Sequence, residues 1–255
     1  MVIFGNEVIY YINMKILIPI LITSIAGLST LVGNILLFID SKYKDKLISF
    51  SMGLSFIVMF LLSIIELIPE GIRMVSNRLS LYEIYLYSLL LLVVGYLFVI
   101  FIDKEIDSDS KLYKIGILSM IGLLVHNIPE GIICAISSYN NIDIGLKMSF
   151  MIMVHNIPEG IVISLPIYYS TGSRGKALLY TVVSSLGEIL GAIITMLFLY
   201  RFINDYVLFV IYMVTSGIMI TLSVGKILKE GISLKLFKWL ILGILFGFGI
   251  VVITL

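Results

Sequence analysis

Along most of the chain apolar residues do not alternate with polar ones at helix or strand spacing. They run on for about 20 residues at a time, broken by short polar clusters. A run of that length crosses a hydrocarbon core about 30 Å thick. Eight stretches qualify, at 14–39, 47–72, 81–102, 113–138, 146–168, 175–200, 206–225 and 235–255. Lipid offers no partner to a backbone N–H or C=O, so each stretch is predicted to be a transmembrane helix. The connections are short, and the longest, DKEIDSDSKLYK (Asp103–Lys114), is too small to fold by itself. The pattern predicts an all-α integral membrane protein, one transmembrane domain over 1–255, with its chemistry inside the bundle.

Composition agrees. Of 255 residues 60% are hydrophobic and 13% charged, about half the charge a soluble domain carries. A net charge of +1 gives no reason to expect a nucleic-acid partner. The distribution of the 17 basic residues says more. With the N-terminus outside, one side of the membrane holds Lys42, Lys44, Lys46, Lys104, Lys111, Lys114, Arg174, Lys176, Lys226, Lys229, Lys235 and Lys238; the other holds Lys15, Arg73, Arg78, Lys147 and Arg201. Positive residues concentrate on the cytoplasmic side, so both termini are predicted to lie outside. The N-terminal MVIFGNEVIYYINMK lacks the basic start and small-residue cleavage site of a signal peptide. A single cysteine, Cys134, excludes an intrachain disulfide and a cysteine-cluster metal site.

One motif stands against the apolar background. VHNIPEGI occurs at Val125–Ile132 and again at Val154–Ile161, and it contains both histidines of the protein. The copies are separated by about one helix and the turn Tyr139–Gly145, so the fourth and fifth helices are expected to be antiparallel neighbours with both motifs near mid-membrane. Residues three and four apart share a helix face. His126, Asn127 and Glu130 thus form one polar patch, and His155, Asn156 and Glu159 another. Pro129 and Pro158 have no amide hydrogen, which releases the carbonyls of Val125 and Val154 from the helical ladder. Gly131 and Gly160 permit close helix approach.

Further carboxylates lie within predicted spans. A degraded copy, ELIPEGI, supplies Glu66 and Glu70 to the second helix, and SSLGEILGA supplies Glu188 to the sixth. Glu70 is close to Arg73 and the membrane boundary, and reads as a salt bridge; Ser184 and Ser185 are expected to hydrogen-bond back to their own helix. A central charge costs about 2.5–3.5 kcal/mol even on a lenient insertion scale, so something must compensate. A divalent cation fits best. Imidazole nitrogen, carboxylate and amide oxygen suit Zn, Fe, Mn or Co, and the lack of thiolates argues against a soft-metal site. Three helices carrying Glu130, Glu159 and Glu188 could hold two ions through bridging carboxylates. Two histidines on adjacent helices could also ligate a b-type haem, but haem has no use for the paired Asn and Glu. A zinc protease would need H-E-x-x-H, which is absent.

HNIPEG on two successive helices, the Ser-x-x-Glu setting of Glu188, the Glu66-x-x-Pro69 pattern and the whole stretch His155–Ala192 resemble the ZIP (Zrt/Irt-like) family of metal-ion transporters, in particular its bacterial ZupT-like branch. The resemblance spans essentially the entire chain. It implies eight helices in a 3+2+3 arrangement, helices one to three and six to eight being inverted repeats around four and five. It implies uptake of divalent metal into the cytoplasm rather than catalysis, with no prosthetic group. The transported ion would be Zn2+, with Fe2+, Mn2+, Co2+ and Cd2+ as further substrates. Carried over by position, the metal ligands would be His126, Asn127, Glu130, His155, Asn156, Glu159 and Glu188, with Glu66 a further candidate. Where many eukaryotic members carry a second histidine and a further glutamate on the fifth helix, this chain has Asn156 and Glu159, which fits a broader metal range. Many members also have histidines between helices three and four; here that loop has acidic residues and no histidine. The partners implied are divalent ions and the bilayer, the cell membrane in a bacterium, with a homodimer left open.

Overall fold

The computed structural model describes the backbone of residues 2–39, 41–199 and 202–254, and side chains within 14–39, 42–198 and 202–253. The described residues form eight helical rods and no strand. They are α1 (Met14–Phe38, continuing a helical backbone from Val2), α2 (Lys44–Val75), α3 (Leu81–Glu105), α4 (Lys111–Asn140), α5 (Ile142–Thr171), α6 (Arg174–Phe198), α7 (Asp205–Ser233) and α8 (Phe237–Ile253). The first seven are long and apolar enough to cross a membrane; α8 is a shorter apolar helix. Residues 200 and 255, where two expected spans end, and Arg201 lie outside the described residues.

Local chemistry moves several boundaries. The expected seven-residue turn between α4 and α5 shrinks to Asn141, whose side chain accepts from the amides of Asp143 and Ile144. An Asn at the N-cap satisfies amides that the first helical turn leaves free, so α5 can start at once. At its other end α5 stops on Gly172, whose φ of 70° is the left-handed conformation that glycine adopts without strain. α7 runs past the apolar stretch to Ser233, carrying Lys226, Lys229 and Glu230 on its last turns. α3 opens with a capping box in which Ser80 and Glu83 satisfy each other's backbone amides.

The rods pack as two groups of four. α1, α4, α5 and α6 contact one another extensively; in the second group α2 packs along α7 and α8, and α3 along α7, with sparser contact between the groups, chiefly α2 on α5 and α4 on α7. One link between the groups touches the repeated motif: the Ser55 hydroxyl of α2 donates to the Pro158 carbonyl of α5 at 3.0 Å. Both α4 and α5 continue unbroken through their motif prolines. Helical geometry departs from α elsewhere, as a 3-10 segment at Ser29–Phe38 of α1 and π turns at Leu62–Leu67, Thr195–Leu199 and Ser223–Leu228.

The motif glycines set how closely the first group packs. A Cβ on Gly131 would lie 2.1 Å from the Glu188 carbonyl oxygen of α6, and one on Gly160 would lie 1.9 Å from the Thr30 carbonyl oxygen of α1. Neither contact can be relieved by moving a side chain, because the obstacle is backbone. Gly249, by contrast, faces open space. Gly131→Ala is therefore expected to lower stability by about 1–3 kcal/mol, the usual cost of overpacking, while Gly249→Ala stays within about 0.5 kcal/mol. Thermal unfolding of the two variants in detergent checks this; equal midpoints would contradict it.

Candidate metal centre

Both HNIPEG copies meet in the interior of the first helix group. The Nε2 of His126 is 3.0 Å and the Nε2 of His155 is 3.1 Å from the same oxygen, Oε1 of Glu130. His155 hydrogen-bonds that oxygen, whereas His126, one turn before Glu130 on α4, is out of line for a hydrogen bond. His126 Nε2 also lies 3.6 Å from Oε1 of Glu159. Four of the seven expected ligands thus touch, with Glu130 at their hub. His126 and Glu159 are 1% exposed, and His155 and Glu130 only slightly more.

The other three predicted ligands are equally buried but arranged differently. Asn156 donates through Nδ2 to Glu188 Oε1 at 2.5 Å and to the Ala26 carbonyl of α1 at 3.0 Å. Glu188 therefore joins the cluster through an asparagine rather than a histidine, within electrostatic reach of Glu130 and Glu159. Asn127 turns its Nδ2 to the Ser184 carbonyl of α6 at 3.1 Å, tying α4 to α6. Glu66, at the π turn of α2, is half-buried and interacts electrostatically with His155 and Glu130 without touching either. Glu70 pairs with Arg73, as expected of a boundary residue. Ser185 bonds back to the Val182 carbonyl at 2.9 Å, but the Ser184 hydroxyl has no hydrogen-bond partner, contrary to expectation. Its carbonyl is occupied by Asn127, and the hydroxyl lies in a wholly buried position.

The unsatisfied atoms reveal what the cluster lacks. Glu130 Oε2, both carboxylate oxygens of Glu159, Glu188 Oε2 and the side-chain oxygens of Asn127 and Asn156 are buried without a hydrogen-bond partner. All six are acceptors; the two ring nitrogens of His126 are also buried without a hydrogen-bond partner. Among the described residues no lysine or arginine forms an ion pair with any of the three carboxylates. Even with both imidazoles protonated, the cluster would hold more negative than positive charge. An isolated buried carboxylate costs several kcal/mol, so a set of this kind is stable only with added positive charge, as protons or as a metal ion. Two imidazole nitrogens and carboxylate oxygens match the preferences of Zn2+ and its first-row neighbours. Among the described residues no three such side chains surround a ready-made ion position. The imidazoles lean on Glu130 instead, and an incoming ion would exchange those contacts for its own.

Sequence reasoning missed the contribution of α1. Its Ala26 carbonyl holds Asn156, and a Cβ on Gly27 would lie 3.0 Å from the Glu188 side chain. The small-residue run SIAGLST (Ser24–Thr30) was the available signal, since small residues mark close helix contacts in membranes.

Comparison with known proteins gives a consistent picture. The family model for the ZIP zinc transporter matches residues 104–255. The zinc transporter ZupT of Oceanobacillus iheyensis is 31% identical over 94% of this chain and 98% of its own length. The ZupT proteins of Campylobacter jejuni and Streptococcus mutans are 30% and 32% identical, over 94% and 92% of this chain and 96% and 95% of theirs.

Replacing Asn156 by leucine removes the donor to Glu188 and leaves a further buried carboxylate oxygen bare. The expected cost is about 1–3 kcal/mol, read as a lower unfolding midpoint in chelator-treated protein; an unchanged midpoint would contradict the assigned bond.

Proposed function

Because this chain belongs to the ZIP family, we propose that it takes up divalent metal ions, zinc foremost, through the His/Asn/Glu cluster between α4, α5 and α6. The relatives carry the name zinc transporter over nearly the same length of chain. The observation that carries the site assignment is the set of six buried oxygen acceptors without a donor. The protein is a multi-pass membrane transporter rather than an enzyme, located in the cell membrane if its host is bacterial. The positive-inside bias supports termini on the outer face, and on this reading the ion moves from that side to the cytoplasm.

The ion is the substrate, and the chain's own groups do the work. Entering from the outer side, it sheds water as His126, His155, Glu130 and Glu159 replace its shell. Glu188, steadied by Asn156, adds a carboxylate at the α6 side. Bridging carboxylates on three helices make room for a second ion, so the site is binuclear in this account. Ligand neutralisation of the ion's charge lowers the cost of holding it in a low-dielectric core. Oxygen ligands exchange readily, which suits release, and they extend the substrate range to Fe2+, Mn2+, Co2+ and Cd2+.

The helix grouping supports the 3+2+3 arrangement and an alternating-access cycle. α1 packs on α5 as α6 packs on α4, and α2 packs on α8 as α3 packs on α7. Such pairing follows if α1–α3 and α6–α8 are inverted repeats about the α4–α5 pair. The group α1, α4, α5, α6 then carries the ligands past the other group, along the sparser contacts between them. Every ligand comes from one chain, so a homodimer is not needed to complete the site.

His155→Ala and Glu159→Ala are each expected to abolish zinc uptake while the protein still inserts into the membrane. Radiolabelled zinc uptake, together with membrane abundance, measures this. Normal uptake in both variants would contradict the assignment.

A further inference from the structure

An internal likeness links two ends of the bundle. LSIIELIPEGI (Leu62–Ile72) in α2 and LSVGKILKEGI (Leu222–Ile232) in α7 share Leu, Ser, Glu, Gly and Ile at matching places. Both copies form a π turn over nearly the same positions, Leu62–Leu67 and Ser223–Leu228. The order of buried, half-buried and exposed residues is identical over 61–70 and 221–230. Their packing is reciprocal as well. A Cβ on Gly71 would meet the side chain of Tyr212 in α7, and one on Gly231 would meet the side chain of Met52 in α2. Tyr212 and Met52 stand in the same relation as Gly231 and Gly71. Each copy lies at the C-terminal end of its rod, and the two rods are antiparallel, so the copies sit at opposite mouths of the bundle.

At one position the copies differ in sign: Glu66 in α2 corresponds to Lys226 in α7. Glu66 is half-buried within electrostatic reach of the His155–Glu130 pair. Lys226 is also half-buried, and its ammonium bonds Asp103 Oδ2 of α3 at 2.6 Å. The other oxygen of Asp103 lies 3.5 Å from the Lys114 ammonium of α4. Lys114 belongs to the ligand-bearing helix group, whereas Asp103 and Lys226 belong to the other. These side chains line a cavity of about 290 Å³ that also receives Lys111, Lys229 and Glu230. Four lysines against two carboxylates make this mouth basic, while the opposite mouth presents Glu66 and the Glu70–Arg73 pair.

We propose that Lys226 is an inner-gate cation that lowers the affinity of the inner mouth for divalent ions, the counterpart of an acidic Glu66 at the outer mouth. This rests on the transporter reading given above. A metal dication leaving the ligand cluster meets a fixed ammonium where its mirror position offers a carboxylate, and rebinding from inside is disfavoured. The equilibrium distribution of the ion is untouched, because a fixed charge acts on exit and re-entry alike. What changes is the concentration at which the inner face half-saturates. Asp103 moderates the effect by pairing with Lys226, and it links the two helix groups through Lys114. Lys226 is thus a positioning residue for release, without contact to the ligands.

The test compares initial zinc flux into right-side-out and inside-out vesicles containing the full chain. Lys226→Gln is expected to lower the inner-face KM about three- to tenfold, the effect of one charge on a dication at an effective dielectric between protein and water. Its outer-face KM should stay within about twofold, which also shows that the variant is folded. Asp103→Asn leaves the ammonium unneutralised and should raise the inner-face KM, and Lys226→Arg should match the parent protein. A merely structural ion pair would shift Lys226→Gln and Asp103→Asn in the same direction, which would overturn the proposal. So would an unchanged inner-face KM in Lys226→Gln with normal outer-face flux, with the transporter reading intact. If Lys226→Gln fails to insert, Asp103→Asn alone decides by the sign of its shift. Absence of zinc flux in the parent protein from either face would overturn the transporter reading and the gate together.

Discussion

Three carboxylates buried in a lipid-spanning bundle without a lysine or arginine among their described ion-pair partners are the constraint on which the rest depends. Glu130, Glu159 and Glu188 are each almost wholly removed from solvent. At that depth water cannot stabilise their charge, and the two imidazoles touch only part of it. A chain that kept such groups for stability alone would be better served by apolar residues of similar volume. The cost is intelligible when the missing positive charge is cargo that arrives and leaves.

The surrounding fold can be understood as the support for that cluster. Gly131 and Gly160 let α6 and α1 press their backbones against the two motif helices, which brings Glu188 and the Ala26 carbonyl within reach of Asn156. Asn127 fixes α4 to α6 from the other side. The two asparagines therefore act first as struts between helices, each leaving its own buried oxygen without a hydrogen-bond partner. Between the ligand-bearing helices and α2, α3, α7 and α8, the main contacts are α2 on α5 and α4 on α7.

Most of the helical architecture was legible because lipid enforces long apolar runs. The boundaries were less so. The polar end of α7 looked like a loop because Lys226 and Glu230 interrupt the apolar pattern, yet the helix continues, with the ammonium satisfied by Asp103. The turn Tyr139–Gly145 vanished into two helices because a single Asn141 suffices to cap α5. The π and 3-10 segments continue helical rods without a break, and no spacing rule anticipates them. Within the site, repetition identified the residues but not their pairing. That one oxygen of Glu130 receives both histidines, and that Glu188 is reached through Asn156, depends on the rotation of three helices about their axes.

The central claim is that this buried oxygen-rich cluster is a divalent-metal site. X-ray absorption spectroscopy of the zinc-loaded protein tests it most directly. The account predicts a first shell of nitrogen and oxygen alone at about 2.0–2.2 Å, with the multiple scattering of imidazole. A sulfur shell at about 2.3 Å, which would implicate Cys134, or the absence of bound zinc would contradict it.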